Sequence, residues 1–173
     1  GELRAVVRAC ENTGHIAVKR QRAGGIVGWQ SMGLVRDCRS TGALGAAGAE
    51  QVGGIVGKSD GYLRACSANC AIAGSSFVGG IAGSGAIVTD CRSMVQITGG
   101  GEKTGAVLGD ATEPYTETQT PRSGNLYLAV GADRGGIDGV SYAGIAEPLP
   151  LQAFLALEEL DDMFRYVTLH FTF

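Results

Sequence analysis

Three kinds of side chain in this 173-residue chain have types and spacings that could do chemistry: cysteines, histidines and recurring aspartates. Cys10, Cys38, Cys66 and Cys91 recur at similar intervals, and Cys70 follows Cys66 by four residues. Cys66 and Cys70 have the outline of half a zinc site. No second pair at the right spacing and no nearby histidine completes it, so no metal ligand is assigned. Disulfides between neighbouring copies are a second use. The reading adopted is a third: an inner stack of small, reduced, buried side chains. His15 and His170 stand far apart, and neither a His-Glu-x-x-His motif nor a Ser-His-Asp set can be assembled.

Asp37 and Asp90 each stand directly before a cysteine, where the other copies have Ala9 and Ala65. Paired carboxylates are the machinery of glycoside hydrolysis. On parallel strands these two would be two rungs, or roughly 10 Å, apart, beyond the about 6.5–9.5 Å of inverting enzymes. No catalytic residue is therefore assigned. Asp37 and Asp90 are kept as binding candidates together with Trp29, the single tryptophan. Trp29 has two uses open to it, stacking on a sugar ring or packing on a neighbouring loop, and the packing use is preferred. Asp60, Asp110, Asp133 and Asp138 fall after glycine corners, where aspartate is ordinary turn chemistry. The spacing of Asp133 and Asp138 is the outline of one calcium loop, and no cofactor is expected. Lys19, Arg20 and Arg22 form a local basic cluster, extended by Arg36, Arg39 and Arg64 into a modest patch or a solvated face.

These residues are positioned by a repeat. Gly24-Gly25-Ile26-Val27-Gly28 returns as Gly53-Gly54-Ile55-Val56-Gly57, as Gly79-Gly80-Ile81-Ala82-Gly83, and with drift as Gly105-Ala106-Val107-Leu108-Gly109. Three residues before each cysteine lies Val7, Val35, Leu63 or Val88, and six after it lies Ile16, Leu44, Ile72 or Ile97. Copies start roughly every 25–29 residues, which is the period of a solenoid or array. The apolar patches are too short for ordinary helices and are separated by glycines, so they read as strands. Three strands per copy, stacked about 4.8 Å apart on those of the next, make a parallel β-helix. Right-handed coiling is favoured, with about four to five rungs. The glycine pair supplies corners, through close backbone approach and through positive φ. The first glycine is the more demanding, since Ala106 replaces the second.

Composition agrees and narrows the function. The net charge is −3 and charged residues make up 18%, which argues against a nucleic-acid surface. No run approaches the roughly 18–20 apolar residues of a membrane span. The chain opens on Gly1 with no signal peptide, which reads as a fragment cut from a longer protein.

The pattern Cys38-Arg39-Ser40-Thr41-Gly42 followed by Val52-Gly53-Gly54-Ile55-Val56-Gly57 resembles the GLUG repeat of bacterial surface proteins. The resemblance covers about residues 3–111. The third and fourth copies depart from it at Ala68-Asn69-Cys70 and Ser93-Met94-Val95. It implies an extracellular, cell-surface or cell-wall location in a bacterium, and a non-catalytic scaffold or adhesin-like binding role toward host glycans or surface proteins. The alternative from the same fold class is a polysaccharide-active β-helix enzyme, a glycosidase or lyase. A monomer is expected.

The repeats occupy residues 1–112. Residues 113–149 hold a polar, proline-flanked loop, a strand at Asn125–Leu128, and a degenerate fifth corner at Gly135-Gly136-Ile137. From Pro150, Leu151, Phe154, Leu155, Leu157, Leu160 and Phe164 have helical spacing. A helix over 150–164 is expected to cap the last rung through Leu155 and Phe164. A strand over 167–173 is expected to lead toward a following domain.

Overall fold

The structure is a computed structural model, and it describes residues 5–111, 122–128, 135–140, 143–158, 160 and 162–165. The chain coils through three parallel sheets for about four turns. The first turn contains β1 (Val6–Arg8), β2 (Glu11–Asn12), β3 (His15–Ala17) and β4 (Ala23–Gly24). The second contains β5 (Val27–Gln30), β6 (Leu34–Arg36), β7 (Arg39–Ser40) and β8 (Ala43–Gly53). The third contains β9 (Val56–Arg64), β10 (Ser67–Ala68) and β11 (Ala71–Gly79). The fourth contains β12 (Ala82–Thr89), β13 (Arg92–Ser93), β14 (Gln96–Gly99) and β15 (Thr104–Gly105). Then come β16 (Leu108–Ala111), β17 (Arg122–Ser123), β18 (Asn125–Leu128) and β19 (Ala146–Leu149).

The first sheet runs β1-β6-β9-β12-β16, with β5 on β9 and β17 on β12. The second runs β2-β7-β10-β13-β18-β19. The third runs β3-β8-β11-β14, with β4 on β8 and β15 on β11. The ladders expected from the repeat are the observed register. Val7, Val35, Leu63 and Val88 stack in the first sheet, and Ile16, Leu44, Ile72 and Ile97 in the third. Ile26, Ile55, Ile81 and Val107 are linked by consecutive N–H to carbonyl bonds at the corner between these sheets. The middle rungs bury these side chains almost completely, as with Leu63 and Ile55 at 0% exposure. Each such side chain removes about 1.5–3 kcal/mol worth of apolar surface from water.

The corners differ from expectation. None of the glycines in the three intact pairs is at positive φ. Their role is close approach alone. A Cβ on Gly54 would run into the carbonyl oxygen of Gly80, and one on Gly53 would lie 2.6 Å from the Cα of Ala82. The left-handed corners are held by other residues, at two recurring positions. One is Ala9, Asp37, Ala65 and Asp90, with φ from 49° to 57°. The other is Arg22, Gln51, Phe77 and Lys103, with φ from 52° to 64°. Gly124 occupies the first of these positions in the fifth copy, at φ 62°.

The fifth corner stays recognisable at its start: the N–H groups of Val107 and Leu108 both donate to the carbonyl of Gly136. It then turns back. Ile137 and Val140 exchange N–H to carbonyl bonds around Asp138 and Gly139, both at positive φ. Asp-Gly with two positive φ values is a type I′ hairpin turn.

The expected single helix is two pieces, α1 (Leu151–Leu155) and α2 (Asp162–Arg165). Phe154, Leu160 and Phe164 are buried in one cluster with Met94, and Leu128, Leu149 and Leu157 pack against it. On a continuous helix, positions 154 and 160 would point about 120° apart, so the break lets both reach the same cluster. Leu155, an expected anchor, is 40% exposed, and Phe154 takes its place at 0%. Phe154 and Phe164 meet edge to face, with centroids 5.3 Å apart. Met94 follows the inward Ser93 and so points out of the second sheet. The helices therefore cover the outer side of that sheet at its last strands instead of plugging the end of the coil. The expected strand over 167–173 lies outside the described residues.

Candidate functional site

The cysteine ladder is the first set of candidates to place. All five cysteines are free thiols. Cys38, Cys66, Cys70 and Cys91 are buried, whereas Cys10, expected to be buried with them, is exposed because nothing among the described residues stacks beneath it. The buried thiols have hydrogen-bonding work. Cys66 donates to the carbonyl of Arg64 at 3.4 Å, and Cys91 to that of Thr89 at 3.3 Å. The Cys66 N–H in turn donates to the Cys91 sulfur at 3.4 Å. A thiol thus satisfies a corner amide from above while its proton satisfies a corner carbonyl.

Cys38 is held protonated, well above the usual thiol range, by its hydrogen bond with Cys66 and by burial. For Cys66 the bond with Cys38 pulls downward, and the bond with Cys91 and burial outweigh it. Burial pushes Cys70 up to about 12, against a hydrogen bond with Ser40. Thiols held protonated in this way are poor nucleophiles and metal ligands. Among the described residues, no three His, Cys, Asp or Glu side chains gather as a metal-binding group.

The aspartate pair also has a structural explanation. Asp37 and Asp90 recur because their position is a left-handed corner, a conformation that aspartate tolerates better than most residues. Their carboxylates face arginines. Asp37 lies 3.7 Å from Arg8 and 3.6 Å from Arg36, and Asp90 lies 3.6 Å from Arg64. Arg8, Arg36 and Arg64 are in register on adjacent strands of the first sheet. Of the residues expected to form a basic patch, Arg36 and Arg64 stand with Arg8 in a guanidinium row partly neutralised by the two carboxylates, whereas Arg39 faces Glu11 at 3.5 Å and Arg22 lies over the Trp29 ring.

Of the remaining acidic positions, Asp60 and Asp110 are on strands β9 and β16, where loops were expected. Asp138 is in the closing turn, bonded to Lys103 at 2.9 Å, and Lys103 also reaches Asp110 at 3.2 Å. The hydrogen bond with Asp138, first, and then that with Asp110 raise the Lys103 pKa. Asp133, the other half of the outlined calcium loop, lies outside the described residues, as does His170. His15 is exposed, on β3.

Trp29 is where exposure and order coincide. It is 52% exposed on β5, in register with Lys58 of β9. Its indole N–H donates to Asp60 at 3.0 Å, and the Arg22 guanidinium lies 4.5 Å from its ring centroid. Lys58 closes on Asp60 at 3.4 Å. An exposed aromatic fixed from both neighbouring turns has already lost much of its rotamer freedom before any ligand arrives.

A stripe that the binding candidates did not include runs beside it. Val6, Leu34, Tyr62 and Ile87 are paired across β1, β6, β9 and β12. Each precedes an inward ladder residue, so alternation turns it outward. Val6 is 56% exposed and Tyr62 49%. The stripe, with Gly33, Leu63, Arg64 and Thr89, lines a shallow groove of about 520 Å³. Met32, 58% exposed, projects from the loop between β5 and β6. Gln30 supports that loop from inside, donating to the Gly33 carbonyl at 3.0 Å and accepting from the Ser59 hydroxyl at 2.8 Å.

The signal for this stripe was present in the sequence as the doublets Val6-Val7, Leu34-Val35, Tyr62-Leu63 and Ile87-Val88. A strand with one solvated face alternates apolar and polar. Two apolar residues in a row, in four copies, mean that the outer face is also apolar.

The outer face of the first sheet therefore holds an apolar groove between a guanidinium row and a fixed tryptophan. Tyr62 lies four residues along β9 from the Trp29 register, so the two rings are about 14 Å apart. No family model, no curated protein and no solved structure matches the chain.

Proposed function

We propose that this chain is a non-catalytic binding module, and that the outer face of the first sheet is its binding surface. The observation that carries this is the clustering of exposed apolar side chains. Of the six large hydrophobic residues found exposed among the described residues, Val6, Trp29 and Tyr62 lie on that face, and Met32 is in the loop between two of its strands. Exposed apolar surface rimmed by charge marks interaction sites more often than scattered hydrophobic residues do. Tyrosine, tryptophan and arginine are the residue types that dominate binding energies at protein surfaces.

The GLUG resemblance supports a setting for the module: a secreted or wall-attached bacterial protein of adhesin-like type, with host glycans or surface proteins as partners. The enzyme alternative loses its motive, because the recurring carboxylates have arginine partners and a backbone reason to be aspartate.

The test is a glycan array and a host-protein array probed with the chain and three variants. A bound partner is expected. Tyr62→Ala or Trp29→Ala should weaken it by about 2 kcal/mol or more, roughly 30-fold, while Leu155→Ala, exposed elsewhere, should leave it unchanged. Turnover of a polysaccharide that disappears in Asp37→Asn or Asp90→Asn would replace this reading with the enzyme.

A further inference from the structure

We propose that the groove on the first sheet takes an amphipathic α-helix of a partner protein, laid along the coil axis with an acidic flank on the guanidinium row. This rests on the reading of that face as the binding surface. The centre of the groove belongs to inner turns of the coil. Tyr62 and Arg64 on β9 sit between Leu34 and Arg36 on β6 and Ile87 and Thr89 on β12. Strand β9 is paired on both sides, so the exposure of its side chains does not come from an unpaired edge. Tyr62 is 49% exposed and the Arg64 side chain 67%.

Charge sets one property of the occupant. Arg8, Arg36 and Arg64 face two carboxylates, so the row keeps a net positive charge. Asp37 is shared between Arg8 and Arg36, and each contact is made through Nε at 3.6 or 3.7 Å. A close charge-assisted hydrogen bond measures about 2.7–2.9 Å, and a guanidinium has five donors in a planar fork. The row is thus loosely neutralised and still suited to carboxylates. Beyond the apolar stripe, Lys58 and Asp60 neutralise each other at 3.4 Å. Acidic groups of an occupant are therefore drawn to one flank only.

The lining decides the class of occupant. Val6, Leu34 and Ile87 offer no hydrogen bond, and a glycan laid on them would turn its hydroxyls against aliphatic carbon. An extended peptide would do the same with its backbone, because the N–H and C=O groups of β9 are already paired with β6 and β12. A helix satisfies its backbone internally and offers side chains alone. Its turns also fit the rungs. Helical pitch is about 5.4 Å and parallel strands lie about 4.8 Å apart, so apolar residues at i, i+3 or i+4, and i+7 meet Leu34, Tyr62 and Ile87 in turn. The apolar and arginine rows are two residues apart on each strand, about 6.6 Å, which a helix about 10 Å wide covers together.

The probe is a phage-displayed library of random peptides of about 15 residues, enough for about four helical turns, selected on the immobilised intact chain. Enriched peptides should carry apolar residues at helical spacing and Asp or Glu along one flank. The strongest, made synthetically, should gain helical circular dichroism on binding, and its complex should weaken as salt is raised. Tyr62→Ala and Arg64→Glu should each weaken it by about tenfold or more. Lys in place of the peptide's acidic residues should restore binding to Arg64→Glu. Thermal melting checks the fold of each variant, and Arg36→Glu carries the charge test if Arg64→Glu does not fold. Enriched peptides that are basic, or that bind without becoming helical, would overturn the proposal. So would binding that ignores both substitutions. A glycan held through Tyr62, with no peptide enriched, would overturn the helix and leave the binding face standing. If no glycan, protein or peptide is sensitive to Tyr62→Ala, both readings fall.

Discussion

At the cysteine position of the repeat, the first turn carries Cys10 and the fifth carries Asn125. Cys10 is exposed, and its thiol reaches the nearby Arg8 carbonyl at 3.6 Å. Asn125 is 1% exposed and uses its whole amide. It accepts from the Cys91 N–H at 3.0 Å and donates to the carbonyls of Val88 and Ile145 at 2.8 and 2.9 Å. The far end is finished in other ways as well, by the Asp138-Gly139 turn, by Pro148, and by α1 and α2 on the flank. The lesson is that a repeat position has no fixed energetic worth. A solenoid is nearly one-dimensional, and a residue contributes according to how many neighbouring turns it touches. Among the described residues the fifth turn is covered by these elements, and the strands of the first turn are paired on one side only.

The largest test of that contrast is at the closing flank. Phe154→Ala should cost about 3–5 kcal/mol, since it opens a cavity against Phe164, Leu160 and Met94. Leu155→Ala, next to it and exposed, should change stability by no more than about 0.5 kcal/mol. Urea unfolding of both variants reads the difference. Equal, small effects would mean that the helices do not belong to the cooperative unit.

The next contrast is within the cysteine position itself. Asn125→Ala leaves the buried Cys91 N–H without its acceptor and removes one donor each from the Val88 and Ile145 carbonyls, the latter keeping the Asn125 backbone N–H, and should cost about 2–3 kcal/mol. Cys10→Ala should be nearly silent, within about 0.5 kcal/mol. A comparable loss at both would show that a residue's contribution does not depend on how many neighbouring turns it touches.

How much of this was legible in the sequence follows the same division. The ladders of Val7, Ile16 and Cys10 with their counterparts were legible, because each inward position demands a small or aliphatic side chain in every turn. The glycine pair was legible for close approach. The left-handed corners were not, because Ala65, Asp90, Gln51 and Phe77 share no chemical type. Backbone geometry there is imposed by the coil and leaves no mark on composition. The outward stripe left a mark, the apolar doublets, of which only the second member belongs to the inward ladder. The helix over 150–164 was misread for a different reason. Helical spacing assumes one flat partner, whereas Phe154, Leu160 and Phe164 converge on a single cluster.

A smaller effect separates inner thiols from the end thiol as pH rises. Cys70 has its pKa raised to about 12 in the folded chain, from an unfolded value near 9.0. Below pH 9 both states hold the proton and the contribution to stability is complete. Above it the unfolded chain ionises while the folded one does not. Stability then falls by up to about 1.4 kcal/mol per pH unit toward pH 12. Cys38 and Cys66 push in the same direction. Melting temperatures at pH 8 and pH 10 should therefore differ, and Cys70→Ala should reduce the difference. Cys10→Ala should leave it unaltered. A melting temperature that is flat across this range would place the inner thiols in contact with solvent.

The finest test concerns a corner that the two regions share. Ala9 and Ala65 occupy the left-handed position in the first and third turns, at φ 53° and 49°. An L-residue with a Cβ gives up about 1–2 kcal/mol there relative to glycine. Glycine in turn adds about 0.4–1 kcal/mol of backbone freedom to the unfolded chain. The fifth turn already has glycine at this position, Gly124, at φ 62°. Ala65→Gly should therefore stabilise the protein by about 0.5–1 kcal/mol, because its corner is held between turns and cannot relax without breaking the ladder. Its N–H bond to the Thr89 carbonyl, 3.0 Å long, needs no side chain and survives the change. Ala9→Gly removes the same strain from a turn that is stacked on one side only. That turn can open locally before the coil unfolds, so relief there adds little to global stability. Calorimetry should show a higher melting temperature for Ala65→Gly than for Ala9→Gly. If Ala65→Gly destabilises, the corner is unstrained, and the recurrence of Asp37 and Asp90 needs an explanation other than backbone conformation.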